Sequence, residues 1–135
     1  MSIFSSPEFL PRVLWADAAS CVASGLVQLA ALDALTGLLG LPRGLLLATG
    51  VFLLAYGVTV GIVAARGASP RALVRLFALG NAGWAAGCVA VGLLLPVTAW
   101  GIAWLAAQGL CVLVLADLQW AGLRASARRG AFAAA

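Results

Sequence analysis

The chain has 135 residues, 64% hydrophobic and only 9% charged, with a mean hydropathy of +1.12; one small core in water cannot hide that much apolar surface, so lipid is the expected solvent. The net charge of +4 comes from eight arginines set against Glu8, Asp17, Asp33 and Asp117; they flank apolar runs, so membrane topology accounts for them and no nucleic-acid partner is expected. Lysine and histidine are absent, which removes a lysine Schiff base, the usual haem and transition-metal ligand and the commonest general base, so neither a cofactor nor an enzymatic activity is expected.

In chain order, the opening MSIFSSPEFLPR is followed by an apolar run that carries Asp17 and Gln28 without a small-residue cleavage pattern, and it reads as a retained helix from about Val13 to Leu32. The next stretch, Asp33 to Leu41, is either its continuation or a short interfacial segment closed by Pro42; some 20 residues already span the hydrocarbon, which favours the second. A second helix is expected from Leu45 to Ala65, ending at Arg66 and Gly67, with Ser69 and Pro70 as the break. The third takes Leu76 to Leu95 as its membrane part. Pro96 then turns the chain into a fourth, Thr98 to Leu118, which continues into a tail over 119–135.

The expected fold is therefore all-α: one transmembrane domain over 1–135, a four-transmembrane-helix bundle. Arg12, Arg66, Arg71, Arg75, Arg124, Arg128 and Arg129 share one side and Arg43 alone marks the other, which places both termini and the tail in the cytoplasm. Alanine, leucine and arginine dominate as in proteins of GC-rich genomes, and a bacterial inner membrane is the expected location. Trp100 and Trp104 near one face, and Trp15 and Trp120 near the other, fit interfacial belts.

Small residues recur every four positions: Ala16, Ser20 and Ser24; Gly57, Gly61 and Ala65; Gly83 and Gly87; Ala99, Ala103 and Ala107. Such rows let helix backbones approach where no hydrophobic force drives association. Asp17-Ala18 and Asn81-Ala82 sit alike near the starts of helices 1 and 3, and Pro42 and Pro96 precede helices 2 and 4. That echo is compatible with two tandem helical hairpins or with composition bias alone.

At a rise of ~1.5 Å per residue, Asp17, Asn81 and Asp117 each lie roughly 7 to 11 Å inside their nearest arginine anchors, and Thr59 shares that level. Asp17, Ser20, Cys21, Ser24 and Gln28 share one face of helix 1, which must look into the bundle. Thr49, Tyr56 and Thr59 form one side of helix 2, and Gln108, Cys111 and Gln119 one side of helix 4. Asp117 points elsewhere. An acidic group in the bilayer is costly unless paired, hydrated or neutralised, so Asp17 is a functional suspect. A hydrogen-bonded Asp/Asn/Tyr network that merely locks the bundle explains the same residues. Cys21, Cys88 and Cys111 lie in apolar runs and read as buried thiols, and without histidine or a Cys-x-x-Cys pair no metal site is expected. No phosphate loop or pair of carboxylates on one helix appears.

The segments GNAGW (Gly80 to Trp84), ADLQWAGLR (Ala116 to Arg124) and WADA (Trp15 to Ala18) give the chain a likeness over its whole length. It resembles a group of small four-helix bacterial integral membrane proteins with no assigned activity. The resemblance implies a fold and marks Asp17, Asn81, Trp84, Asp117 and Gln119 for testing. Small multidrug transporters share an acidic residue in helix 1, but their other motifs are missing, and the glycine-rich and Thr-Phe-Ser signatures of small fluoride channels are absent too.

Two functions are compatible with these residues. The first is a non-enzymatic accessory or scaffold subunit of an inner-membrane assembly, partnered by lipid and by other subunits or a second copy. The second is a small transporter or binder of a hydrophobic or cationic molecule, with Asp17 supplying charge. The candidate ligand-binding residues are Asp17, Tyr56, Asn81, Trp84 and Asp117.

Overall fold

A computed structural model describes residues 6, 8–67 and 70–133, with side chains as far as Ala127. Ser69 and the side chains of Arg128, Arg129 and Phe132 lie outside the described residues. Five helices follow one another: α1 (Phe9–Ala30), α2 (Leu32–Leu39), α3 (Arg43–Ala65), α4 (Arg71–Leu94) and α5 (Ala99–Ala133). Four of them, α1, α3, α4 and α5, are long and apolar enough to cross a membrane. The protein is thus an all-helical, multi-pass membrane protein.

The breaks have local causes. α1 takes in Pro11 because the N–H groups of a first turn have no intrahelical acceptor to lose. At Ala31 the backbone leaves helical geometry (φ −112°, ψ 26°) while Ala31 N–H still reaches Val27 O, so α2 departs as a separate short helix. It buries Leu35 and Leu39 and stops at Gly40, whose φ of 68° suits a residue without Cβ. Leu95 is extended because the following Pro96 disfavours the helical region before it. Thr98 then caps α5, its hydroxyl accepting from Gly101 N–H at 3.0 Å and donating to Leu38 O at 2.7 Å. An exposed Asp33–Arg43 ion pair (2.8 Å) spans the turn from α2 to α3.

The helices pair as two hairpins. α1 packs along α3 and α4 along α5; α1 and α5 join the pairs, while α3 and α4 do not pack backbone to backbone. One apolar cluster lies toward the arginine-bearing end, with Leu14, Val60, Val74, Phe77 and Leu123 at its centre. The other lies toward Arg43, where Leu35, Leu39, Leu41 and Leu46 meet Val91, Leu95 and Trp104. Trp15 and Trp100 are exposed, whereas Trp104 and Trp120 are half-buried against these clusters.

The small residues divide into two groups that the sequence does not separate. A Cβ on Gly57 would stand 2.8 Å from Val22 Cγ2 and 3.0 Å from Ala18 O, and one on Gly25 would stand 2.9 Å from Gly50 O. Gly25, Gly50 and Gly57 therefore form a tight α1–α3 seam, of which only Gly57 belongs to an expected row. Gly83 and Gly87 were expected to pack against a helix. Instead, a Cβ on either meets nothing within 4 Å, because their face of α4 looks toward the gap beside α3.

Candidate functional site

The bundle interior holds one closed polar ring. Asp17 on α1, Asn81 on α4 and Gln119 on α5 are 0%, 2% and 0% exposed. Asn81 Nδ2 donates to Asp17 Oδ2 at 2.9 Å and Gln119 Nε2 donates to the same oxygen at 2.7 Å. Asn81 Nδ2 also lies 3.4 Å from Gln119 Oε1, which closes the ring. The Cys21 thiol, one turn along α1, donates to Asp17 Oδ1 at 3.6 Å. Three helices of the two hairpins are thereby tied at one carboxyl, without any basic side chain among the described partners.

Beside the ring lies a cleft of about 510 Å³, walled by α3 and α4 with α1 and α5 behind. Its floor is Cys21 and Asn81, its roof Leu41 and Trp104, and its walls are chiefly Leu, Phe, Trp, Val and Gly. No charged side chain lines it. Gly80, Gly83 and Gly87 thin the α4 wall. At mid-depth Phe52 of α3 stacks on Trp84 of α4, with ring centroids 5.8 Å apart and planes 9° apart. Tyr56 stacks on Phe52 at 5.9 Å, meets Phe77 edge-on at 5.8 Å, and donates its hydroxyl to Phe77 O at 3.3 Å. These aromatic contacts cross the gap where the backbones stay apart.

A second set of polar groups lines the cleft itself. Trp84 Nε1 donates to Gln108 Oε1 at 3.1 Å, and Thr49 Oγ1 lies 2.9 Å from Gln28 Oε1. Gln28 is 1% exposed. An amide hydrogen buried without an acceptor costs about 1–3 kcal/mol, so these carboxamides are expensive to keep in an otherwise apolar wall.

The five candidate residues fall into three places. Asp17 and Asn81 meet directly. Tyr56 and Trp84 line the cleft whose floor Asn81 shares. Asp117 is exposed on the outer face of α5, in a shallow groove with Trp120, Ala121 and Arg124, and does not approach Asp17. Thr59 is likewise exposed and bonds back to Ala55 O. The third member of the ring, Gln119, lies two residues from Asp117, and its signal was the eleven-residue spacing from Gln108, which sets both on one face of α5. The Gln28–Thr49 pairing had no sequence signal, because it depends on the register of α1 against α3.

These features define a multi-pass helical membrane protein with an internally tied bundle and a charge-free cleft open to its side. No known protein family, characterised protein or solved structure matches the chain. The functional reading accordingly rests on this geometry.

Proposed function

We propose that the protein is a non-enzymatic membrane protein that binds a neutral hydrophobic molecule, which enters from lipid between α3 and α4. The observation that carries this reading is the cleft itself. It lies where the backbones of two spanning helices stay apart, its 510 Å³ falls within the ~300–1,000 Å³ of small-molecule sites, and it carries a few polar groups on an apolar wall. Glycine at positions 83 and 87 supports it. Each glycine costs a helix about 1 kcal/mol relative to alanine, and neither is needed for contact with another helix of this chain. The charge of Asp17 is enclosed in the ring, which argues against a cationic ligand held by that residue.

Filling the cleft tests the reading. Gly83→Leu with Gly87→Leu places side chains in open space, so the bundle should keep its melting temperature. Lipid-soluble molecules retained by the purified wild type, read by native mass spectrometry, should be lost from the double variant. Equal retention by both would sink the proposal.

An accessory-subunit role would need a partner helix to seat in the same gap. One helical turn, ~10 Å across and 5.4 Å high, already fills roughly 400 Å³. The cleft thus holds about a turn but not a helix, which favours the small molecule.

We place the arginine-bearing end, with both termini, on the cytoplasmic side of a bacterial inner membrane. The support is that Arg66, Arg71, Arg75 and Arg124 are on that end. A fluorescent-protein fusion at the C-terminus should fold and glow, whereas an exported alkaline phosphatase fused there should be inactive; the reverse pair of results would invert the topology.

A further inference from the structure

The polar groups of the cleft narrow what it takes, on the reading that a molecule enters between α3 and α4. Gln108 holds its Oε1 3.1 Å from Trp84 Nε1. An indole N–H only donates, so the carboxamide oxygen must face the indole and the NH₂ must turn away from it. No described group accepts from that NH₂.

On α1, the other helix behind the cleft, Gln28 is buried and touches a single polar group, Thr49 Oγ1 at 2.9 Å. Two proton arrangements are open there. Thr49 donates to Gln28 Oε1, or it gives its hydrogen to Leu45 O at 2.7 Å and accepts from a turned Gln28 amide. Either way at least one Gln28 amide hydrogen has no acceptor. Of the other donors that line the cleft, the Tyr56 hydroxyl is already spent on Phe77 O, the Asn81 amide on Asp17 and Gln119, and the Cys21 thiol on Asp17, while the Cys88 thiol is a weak donor.

The two helices behind an uncharged cavity thus each bring an unspent N–H donor to its lining. A pure hydrocarbon would leave them unpaired. A cation would set positive charge against donors, and an anion would find no countercharge in a low-dielectric site. A neutral carbonyl oxygen satisfies them without bringing charge. We infer that the cleft takes a neutral lipid bearing carbonyl oxygens, which accept from Gln28 and Gln108 while the hydrocarbon chain lies along Gly83 and Gly87 toward the side opening. A prenylated quinone and a diacylglycerol share this chemistry.

The test titrates the full-length protein in detergent with three probes of matched chain length, a prenylated benzoquinone, a diacylglycerol and a branched hydrocarbon, and reads bound probe by native mass spectrometry. At least one carbonyl probe should bind about tenfold more tightly than the hydrocarbon. Gln28→Leu and Gln108→Leu should each weaken carbonyl-probe binding about tenfold and leave hydrocarbon binding unchanged, the latter reporting that the cleft is intact. A preference for the quinone or for the glyceride supports the inference and names the source. Equal affinities for all three probes, insensitive to both variants, overturn the carbonyl assignment but not the cleft. Retention of no probe by the wild type overturns both.

Discussion

Asp17→Ala is expected to destabilise the bundle by about 2–5 kcal/mol, a larger effect than removal of any other single polar side chain described above. Three donors converge on that carboxyl, from Asn81, Gln119 and Cys21. Interhelical hydrogen bonds in bilayers are worth about 0.6 kcal/mol on average and up to about 1.7, because the separated helices also find partners. Two such bonds, lost together with the Cys21 contact inside α1 and leaving the buried Asn81 and Gln119 amides short of an acceptor, set the range. Asp17→Asn should be far milder. Its carbonyl oxygen occupies the place where Oδ2 accepts both amides, and its NH₂ falls beside the Cys21 sulfur, a weak acceptor. Thermal unfolding in detergent compares the two variants. Equal losses would mean that the ring is not what makes Asp17 matter, and would return attention to its charge.

The second large effect separates glycines that look alike. Gly57→Leu is expected to cost at least about 3 kcal/mol, or to prevent the α1–α3 hairpin from closing, since its first carbon already lies 2.8–3.1 Å from Val22, Ala18 and Cys21. Two of those neighbours are a backbone oxygen and a Cβ, which move only if the helices move. Gly87→Leu makes the same chemical change in a helix of similar length, yet has open space before it. Melting temperatures should therefore drop steeply for Gly57→Leu and stay level for Gly87→Leu. Similar losses in both would mean that α4 packs on something at Gly87 and that the cleft is not open there.

The contrast explains what the sequence could reveal. Hydropathy, the arginine positions and prolines 42, 70 and 96 mark four spans because each acts locally along the chain. The inward polar stripe of α1 was legible for the same reason: Asp17, Cys21 and Gln28 are buried at the spacing of one helical face. Which partner meets which is a property of helix rotation and register. Asp117 and Gln119 lie one residue apart from the shared neighbour Leu118, at nearly the same depth, and differ by about 200° around α5. That angle, set by packing, sends Gln119 into the ring and Asp117 to the surface. Gly83 and Gly87 have the spacing of a contact row, and only the absence of a facing backbone turns the row into a wall of the cleft.

The ring at Asp17 also limits how far an occupant can reach. Along α4 the cleft runs from Gly80 at its floor to Val91 near its roof, eleven residues or ~17 Å. A bilayer's hydrocarbon is about 30 Å thick. Measured from Arg75, that stretch lies between about 8 and 24 Å of depth, so on the reading proposed above an occupant straddles the bilayer midplane and stays clear of both interfaces. On that reading the occupant comes and goes through lipid and never through water, so its partition into the hydrocarbon, rather than its aqueous concentration, sets what the protein meets.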